Sequence, residues 1–214
     1  MIKWPRMASK IPEGTRGSAK IEHFTVSPAD ASRSKLRALL NNRSHMMLCP
    51  GRHARLLVDG ELVMSDTMME KDSNRRLIEK ARGHVLIGGL GLGMVIWPLL
   101  AKRPRLHSLL VLEKNPDVIA LVAPHLPKDS RLVIVEVDVF RWSPPRIRRF
   151  DTIYFDIWPD ICKTNIGEAA GLWERARAWK TPGGWIGDWD TEVRRLEERS
   201  FREENTIDTS FELI

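Results

Sequence analysis

Residues 84–101, HVLIGGLGLGMVIWPLLA, constrain this chain more than any other stretch. After His84 the run carries no charge, holds glycines at 88, 89, 91 and 93, and places Pro98 near its end. Its length approaches the about 20 apolar residues that a membrane-spanning helix needs. Four glycines would weaken such a helix, and Pro98 would interrupt it. A strand, a tight turn and a helix fit better: Val85 to Gly88 as a buried strand, the glycines as the turn, and Met94 onward as the helix. A parallel strand covered on both faces reads as a continuous apolar run, so the lack of alternation is expected.

The 214 residues suffice for one sizeable domain with its own core, or for a domain plus an arm. The first twenty residues hold no apolar segment of the secretory kind. Cys49 and Cys162, more than a hundred residues apart, do not suggest a disulfide framework, and a reducing cytoplasmic setting fits them. The net charge of +6 is uneven: residues 1–60 carry 11 Lys/Arg against 4 Asp/Glu, and the remainder is close to neutral. A basic leader of this kind reads first as a solvated segment and second as a contact for nucleic acid or another polyanion.

Residues 1–26 lack a sustained period and contain Pro5, Pro12, Gly14 and Gly17, which predicts a basic, irregular N-terminal arm. The remainder, 27–214, is expected to form one domain. Ser27-Pro28 opens a helix to about Asn42, with serine as cap and proline at the first helical position. Residues 55–64 form a hairpin around Asp59-Gly60, the dipeptide that a tight positive-φ turn favours. Ser65 or Asp66 then caps a helix to about Ala81. Beyond it, strands at 84–88, 108–113, 131–138, 151–157 and 185–189 alternate with helices at 93–102, 116–124, 165–180 and 190–203. A short final strand, SFELI, closes the chain. Such alternation predicts an α/β fold: a Rossmann-like, doubly wound, mainly parallel sheet with helices on both faces, preceded by the hairpin and the arm. The core, residues 84–190, belongs to the nucleoside-binding type argued next. The short tail could leave a sheet edge open to cover by a second copy of the chain.

Ligands of open parallel sheets bind beyond the carboxyl ends of the strands. Here the first such end carries Gly88-Gly89-Leu90-Gly91-Leu92-Gly93, and the next three carry Glu113, Asp138 and Asp156. The glycine turn departs from a dinucleotide fingerprint, because Met94 stands where Gly or Ala belongs, and no phosphate-binding P-loop occurs. Glu113 suits both hydroxyls of a ribose, since a charged acceptor makes strong hydrogen bonds. Asp138 suits an adenine amino group, flanked by Val139 and Phe140. Each acid alone could equally cap a following helix or loop, as Asn115-Pro116 does directly after Glu113. All three at successive strand ends point to a nucleoside pocket.

VLIGGLGLG, VLEKNPDV, VEVDVF and FDTIYFDIWPD together resemble the class I S-adenosylmethionine-dependent methyltransferase fold over residues 55–190. LLVDGELVMSD ahead of the glycine turn is similar to the hairpin entry of the spermidine synthase-like branch. The resemblance implies S-adenosylmethionine as cofactor. Carried over residue by residue, it places Gly89, Gly91 and Gly93 under the methionine end, Glu113 at the ribose and Asp138 at the adenine, with Gly88, Leu90, Lys114 and Val139 beside them as further cofactor-binding candidates. Asp156 would face the reactive methyl, as cofactor contact and candidate catalytic residue, and Trp158 would wall the acceptor pocket or pack in the core. The branch's amine-accepting Asp becomes Leu92, its Gln falls on Val63, and its Asp-Glu-x-x-Tyr segment has no counterpart near residues 66–76.

The expected function is therefore an S-adenosylmethionine-binding methyltransferase acting on a small-molecule or nucleic-acid acceptor. An aminopropyltransferase using decarboxylated S-adenosylmethionine and a non-catalytic nucleoside- or nucleic-acid-binding module are the alternatives. No metal is expected: His45, Cys49 and His53 share a spacing of four, but Pro50-Gly51 breaks the helix that would align them. Cys162 reads as a packed residue.

Overall fold

The structure, a computed structural model, describes residues 2–40, 46–102, 105–147, 149–158, 166–193 and 195. Two sheets carry the fold. The first is antiparallel, in the order β1 (Gly14–Arg16), β2 (Ala19–Val26), β3 (Gly51–Val58) and β4 (Glu61–Ser65). The second holds β5 (Gly83–Gly88), β6 (Leu106–Glu113), β7 (Leu132–Glu136), β8 (Phe150–Phe155) and β9 (Lys180–Asp188). Its spatial order is β7-β6-β5-β8-β9 and every pairing in it is parallel. The strand order reverses beside β5, so the crevice at its carboxyl end lies at a topological switch point.

The opening run resolves as β5, a glycine turn and the short helix α4 (Ile96–Leu100). Among the described residues no helix is long and apolar enough to cross a membrane. Val85 and Ile87 face one apolar cluster with Leu109, Val111 and Tyr154, while Leu86 faces another with Leu110, Ile153, Phe155 and Leu172. This period-two division explains why a strand covered on both sides shows no alternation in sequence. The second cluster is closed by α6 (Ile166–Arg177), and the loop after β7 is tied to that helix by Arg175, which donates to the carbonyls of Phe140 and Trp142 at 2.6 Å each.

The irregular reading of residues 1–26 is corrected. Met7–Ser9 form a short 3-10 turn, β1 and β2 pair, and β2 runs antiparallel to β3 along its whole length. Met7, Ile11, Ala19 and Ile21 are fully buried in the main core. Pro12, Gly14 and Gly17, which suggested an arm, lie between these anchors, and Pro5, itself buried, just precedes them. The turn at Gly17 closes onto the start of α5 (Pro116–Val122), where the backbone N–H of Ser18 donates to Asp117 at 2.9 Å.

Ser27 caps α1 (Pro28–Leu40) by accepting from the N–H of Asp30 at 3.1 Å. Asp59 and Gly60 both take positive φ, 52° and 83°, as the hairpin turn requires. The single helix expected from Ser65 or Asp66 to Ala81 is instead two, α2 (Met68–Ser73) and α3 (Arg75–Lys80). Asp66 cannot cap because its carboxylate is engaged elsewhere, accepting from the N–H groups of Met7 at 2.8 Å and Ala54 at 2.9 Å. The break falls at Asn74, whose side-chain amide donates to the Glu70 carbonyl at 3.0 Å. The helix expected at 93–102 shortens to α4 because the turn continues through Val95, with the Ile96 N–H donating to the Gly93 carbonyl at 3.1 Å. β9 begins at Lys180, earlier than expected, and α6 stops at Arg177. Cys162, the rest of the helix expected at 190–203 and the strand SFELI lie outside the described residues.

Candidate functional site

The glycine turn is fixed from both neighbouring strands. Gly89 donates its N–H to the Leu112 carbonyl at the end of β6, and the N–H of Asp156 beyond β8 donates to the Gly88 carbonyl, each at 2.8 Å. Gly89 has φ 95°, and a Cβ there would collide with the Asp156 carbonyl oxygen, so the position admits only glycine. Gly93 lies against Leu126 and serves the packing of the turn on the layer below.

Glu113 reaches across this turn. Its Oε2 accepts from the Leu90 N–H at 2.9 Å and its Oε1 from the Asn115 N–H at 2.8 Å. Two backbone donors hold one carboxylate in place, leaving lone pairs for a ligand. Asn115 accepts in turn from the Asp117 N–H at 2.9 Å as the cap of α5, so the strand end, the acid and the helix start form one unit. Asp138 is set similarly, its Oδ1 accepting from the Phe140 N–H at 2.9 Å.

These groups border a cavity of about 300 Å³. Its walls include Gly89, Gly91, Glu113, Lys114, Asp138, Val139, Asp156 and Trp158, all singled out from the sequence. Gly88, Leu90 and Gly93 do not line it; Leu90 is buried and contributes through its N–H to Glu113. The volume falls at the lower end of ordinary ligand sites, and the mix of apolar walls with a few polar groups is characteristic of them.

Sequence reasoning missed one whole wall. The antiparallel sheet presents Leu56, Val58, Val63 and Met64 to the cavity, and Met64 Sδ accepts from the Leu92 N–H at 3.3 Å. The hairpin was visible in the sequence, but nothing local marks which of its faces closes a pocket. Phe140 and Trp158 meet edge-on at 6.0 Å, so Trp158 both borders the cavity and packs on the second apolar cluster.

A second missed group stands behind Asp156. Burial pushes the Asp156 carboxyl up to about 7. Glu70, on α2 and buried, is pushed up to about 8 by burial and by the charge of Asp156. Glu70 Oε2 accepts from the indole N–H of Trp189 at 3.1 Å. Two neighbouring carboxyls that resist ionisation together are a proton-holding pair. Glu70 gave no signal in sequence, because one acid in an exposed-looking helix resembles any solvated residue.

His53 is not arranged as a ligand. Its Nε2 lies 2.9 Å from the Cys49 carbonyl and its Nδ1 lies 3.2 Å from Asp66. Among the described residues no group of three or more His, Cys, Asp or Glu side chains is placed to hold a metal ion; His45 lies outside them.

No protein-family model and no curated protein matches the chain. Among solved structures it is similar to the glycopeptide N-methyltransferase MtfA complexed with S-adenosyl-L-homocysteine, at 21% identity and a TM-score of 0.44, covering 55% of this chain and 46% of that one. It is similar to the N-methyltransferase NodS from Bradyrhizobium japonicum WM9, at 16% identity and a TM-score of 0.42, covering 55% and 64%. It is also similar to the CcbJ methyltransferase from Streptomyces caelestis, at 19% identity and a TM-score of 0.45, covering 55% and 47%. The chain thus spans about half to two thirds of the length of these structures.

Proposed function

We propose that this chain binds S-adenosylmethionine and transfers its methyl group to an acceptor presented beside Asp156. One observation carries the reading: Glu113 and Asp138, at the ends of adjacent parallel strands, border the same cavity as the glycine turn and Asp156. Glu113, held by two backbone N–H groups, is preorganised to accept from both ribose hydroxyls, and Asp138 to accept from an adenine amino group. Val137, Val139 and Phe140 supply apolar faces for the base. The glycine turn admits the amino-acid end without side chains in the way.

When bound, S-adenosylmethionine supplies a methyl group already activated by its sulfonium. The residues' task is alignment, and where the acceptor carries a proton, its removal. Asp156 suits the second task, since a carboxyl titrating near neutrality is a better base at physiological pH than an ordinary one. Aminopropyl transfer is the weaker chemistry here: Leu92, at the position where the spermidine synthase-like pattern has its amine-accepting Asp, is fully buried and apolar.

Calorimetric titration with S-adenosylmethionine, S-adenosylhomocysteine, decarboxylated S-adenosylmethionine and NAD in parallel tests the proposal. Micromolar binding of the first two, with the others weak, is the expected outcome. Preference for the decarboxylated compound would replace methyl by aminopropyl transfer, and a preference for NAD would remove both.

A further inference from the structure

β4 lies at the edge of the antiparallel sheet, with β3 as its neighbour. Their pairing carries a bulge: Leu56 faces Met64 and Leu57 faces Leu62, so Val63 is the extra residue. Consecutive strand residues ordinarily point to opposite faces, and a bulge re-aims them. Here Val63 and Met64 both border the cavity, although they are neighbours in sequence. Val63 remains exposed, whereas Met64 is buried, at 7% exposure. The bulge thus turns the Met64 side chain onto the glycine turn.

The thioether is seated directly over Gly91, where an added Cβ would stand 2.5 Å from Met64 Sδ. The turn's own glycines leave the path along it clear, and Met64 closes that path from the opposite wall. Its Sδ also accepts from the Leu92 N–H at 3.3 Å. Other N–H groups of the turn find oxygen: Gly89 the Leu112 carbonyl, Leu90 the Glu113 carboxylate, and Gly93 the Leu90 carbonyl. A thioether is a weak acceptor by comparison. The Leu92 N–H therefore gains when an oxygen takes the place of the sulfur.

We propose that Met64 is a gate between the Glu113–Asp138 part of the cavity and the glycine turn, and so a specificity-determining residue. The inference rests on the nucleoside reading for what lies on the open side of the gate. A nucleoside without an amino-acid tail meets Glu113 and Asp138 with Met64 in place. A nucleoside carrying that tail must first move the thioether off Gly91. Methionine suits the task, because an unbranched side chain with a polarisable sulfur repacks at small cost. The strand that carries it has an open flank, where Leu62 and Val63 are exposed. A carboxylate at the end of the tail gives the Leu92 N–H a charged acceptor in exchange for a neutral sulfur, which offsets the displacement.

The test compares adenosine with S-adenosylhomocysteine by calorimetric titration of the full chain, as wild type and as Met64→Ala. A gate lowers apparent affinity in proportion to the fraction of time it stands open. Its removal is expected to raise the affinity for S-adenosylhomocysteine, relative to that for adenosine, by about tenfold. A ratio that stays the same or falls would overturn the inference, because a side chain that merely packs on the tail loses affinity when truncated. A second readout serves if the truncated variant does not fold: NMR of isotope-labelled methionine methyl groups in the wild-type protein. The Met64 signal is the one missing from Met64→Leu. S-adenosylhomocysteine is expected to shift that signal, and adenosine to leave it close to its starting position. A Met64 methyl that stays in place at saturation with S-adenosylhomocysteine would overturn the gate and leave the nucleoside reading intact. Absence of binding by both ligands to folded wild type and variant would remove the nucleoside reading, and the gate with it.

Discussion

Glu113 has two duties that a substitution can separate. It ties the glycine turn to the start of α5 through the Leu90 and Asn115 N–H groups, and it offers its remaining lone pairs to the cavity. Glu113→Gln keeps at least one of these anchors but loses the charge. It is expected to weaken S-adenosylhomocysteine binding by about tenfold, near 1.4 kcal/mol, with little change in melting temperature. A variant that binds normally would show that the cavity holds its ligand by other groups. Asp66 has a structural duty only. It is almost fully buried and satisfies the N–H groups of Met7 and Ala54, so Asp66→Ala leaves two buried donors unpaired. A loss of roughly 2–4 kcal/mol in denaturant unfolding is expected. Glu113, Asp138 and Asp156 were legible because strand ends can be read from apolar runs. Asp66 was not: its partners sit 59 and 12 residues away, and locally it resembles any helix cap.

At the scale of elements, the N-terminal segment is a working part of the fold and not an appendage. β2 pairs with β3 over eight residues, and the same sheet supplies Leu56, Val58, Val63 and Met64 to the cavity wall. Deleting residues 1–26 should therefore unfold the protein or abolish ligand binding, whereas an irregular arm would come off harmlessly. Met7→Ala is the milder version, with an expected loss of about 3 kcal/mol in chemical denaturation. A deletion that leaves the melting temperature unchanged would contradict the architecture. The parallel sheet was readable because each βα unit announces itself locally, through an apolar run, a turn and a helix start such as Asn115-Pro116. The antiparallel partner was only half readable. Asp59-Gly60 fixes its hairpin, but β1 has three residues, and the pairing of β2 is set by β3, across an intervening helix.

At the scale of the whole molecule, the carboxyls of Glu70, buried, and Asp156, half-buried at the cavity wall, make stability depend on pH in an unusual direction. Glu70 and Asp156 keep their protons in the fold up to about 8 and 7, while the unfolded chain releases them near 4.5 and 3.8. The folded state thus binds more protons between these limits. The stability they contribute is full below the unfolded values, declines as pH rises, and is lost above the folded ones. The melting temperature is expected to fall as pH rises from 5 to 8. Glu70→Gln should flatten that slope, and a wild-type profile already flat over this range would contradict the pairing. The pair escaped sequence reading because its members lie in an early helix and at a late strand end, and only the closed fold brings their charges within reach of each other. The candidate pocket, by contrast, is assembled from the carboxyl ends of parallel strands on either side of β5, each of which is marked locally by an apolar run ending in an acid or a glycine turn.

The most direct measurement is a side-by-side calorimetric titration of wild type and Glu113→Ala with S-adenosylhomocysteine, each first checked for a cooperative thermal transition. The expected result is micromolar binding to wild type and a loss of more than about tenfold in the variant. Absence of binding to folded wild type, or equal affinity in the two proteins, would contradict the assignment of this cavity to the nucleoside.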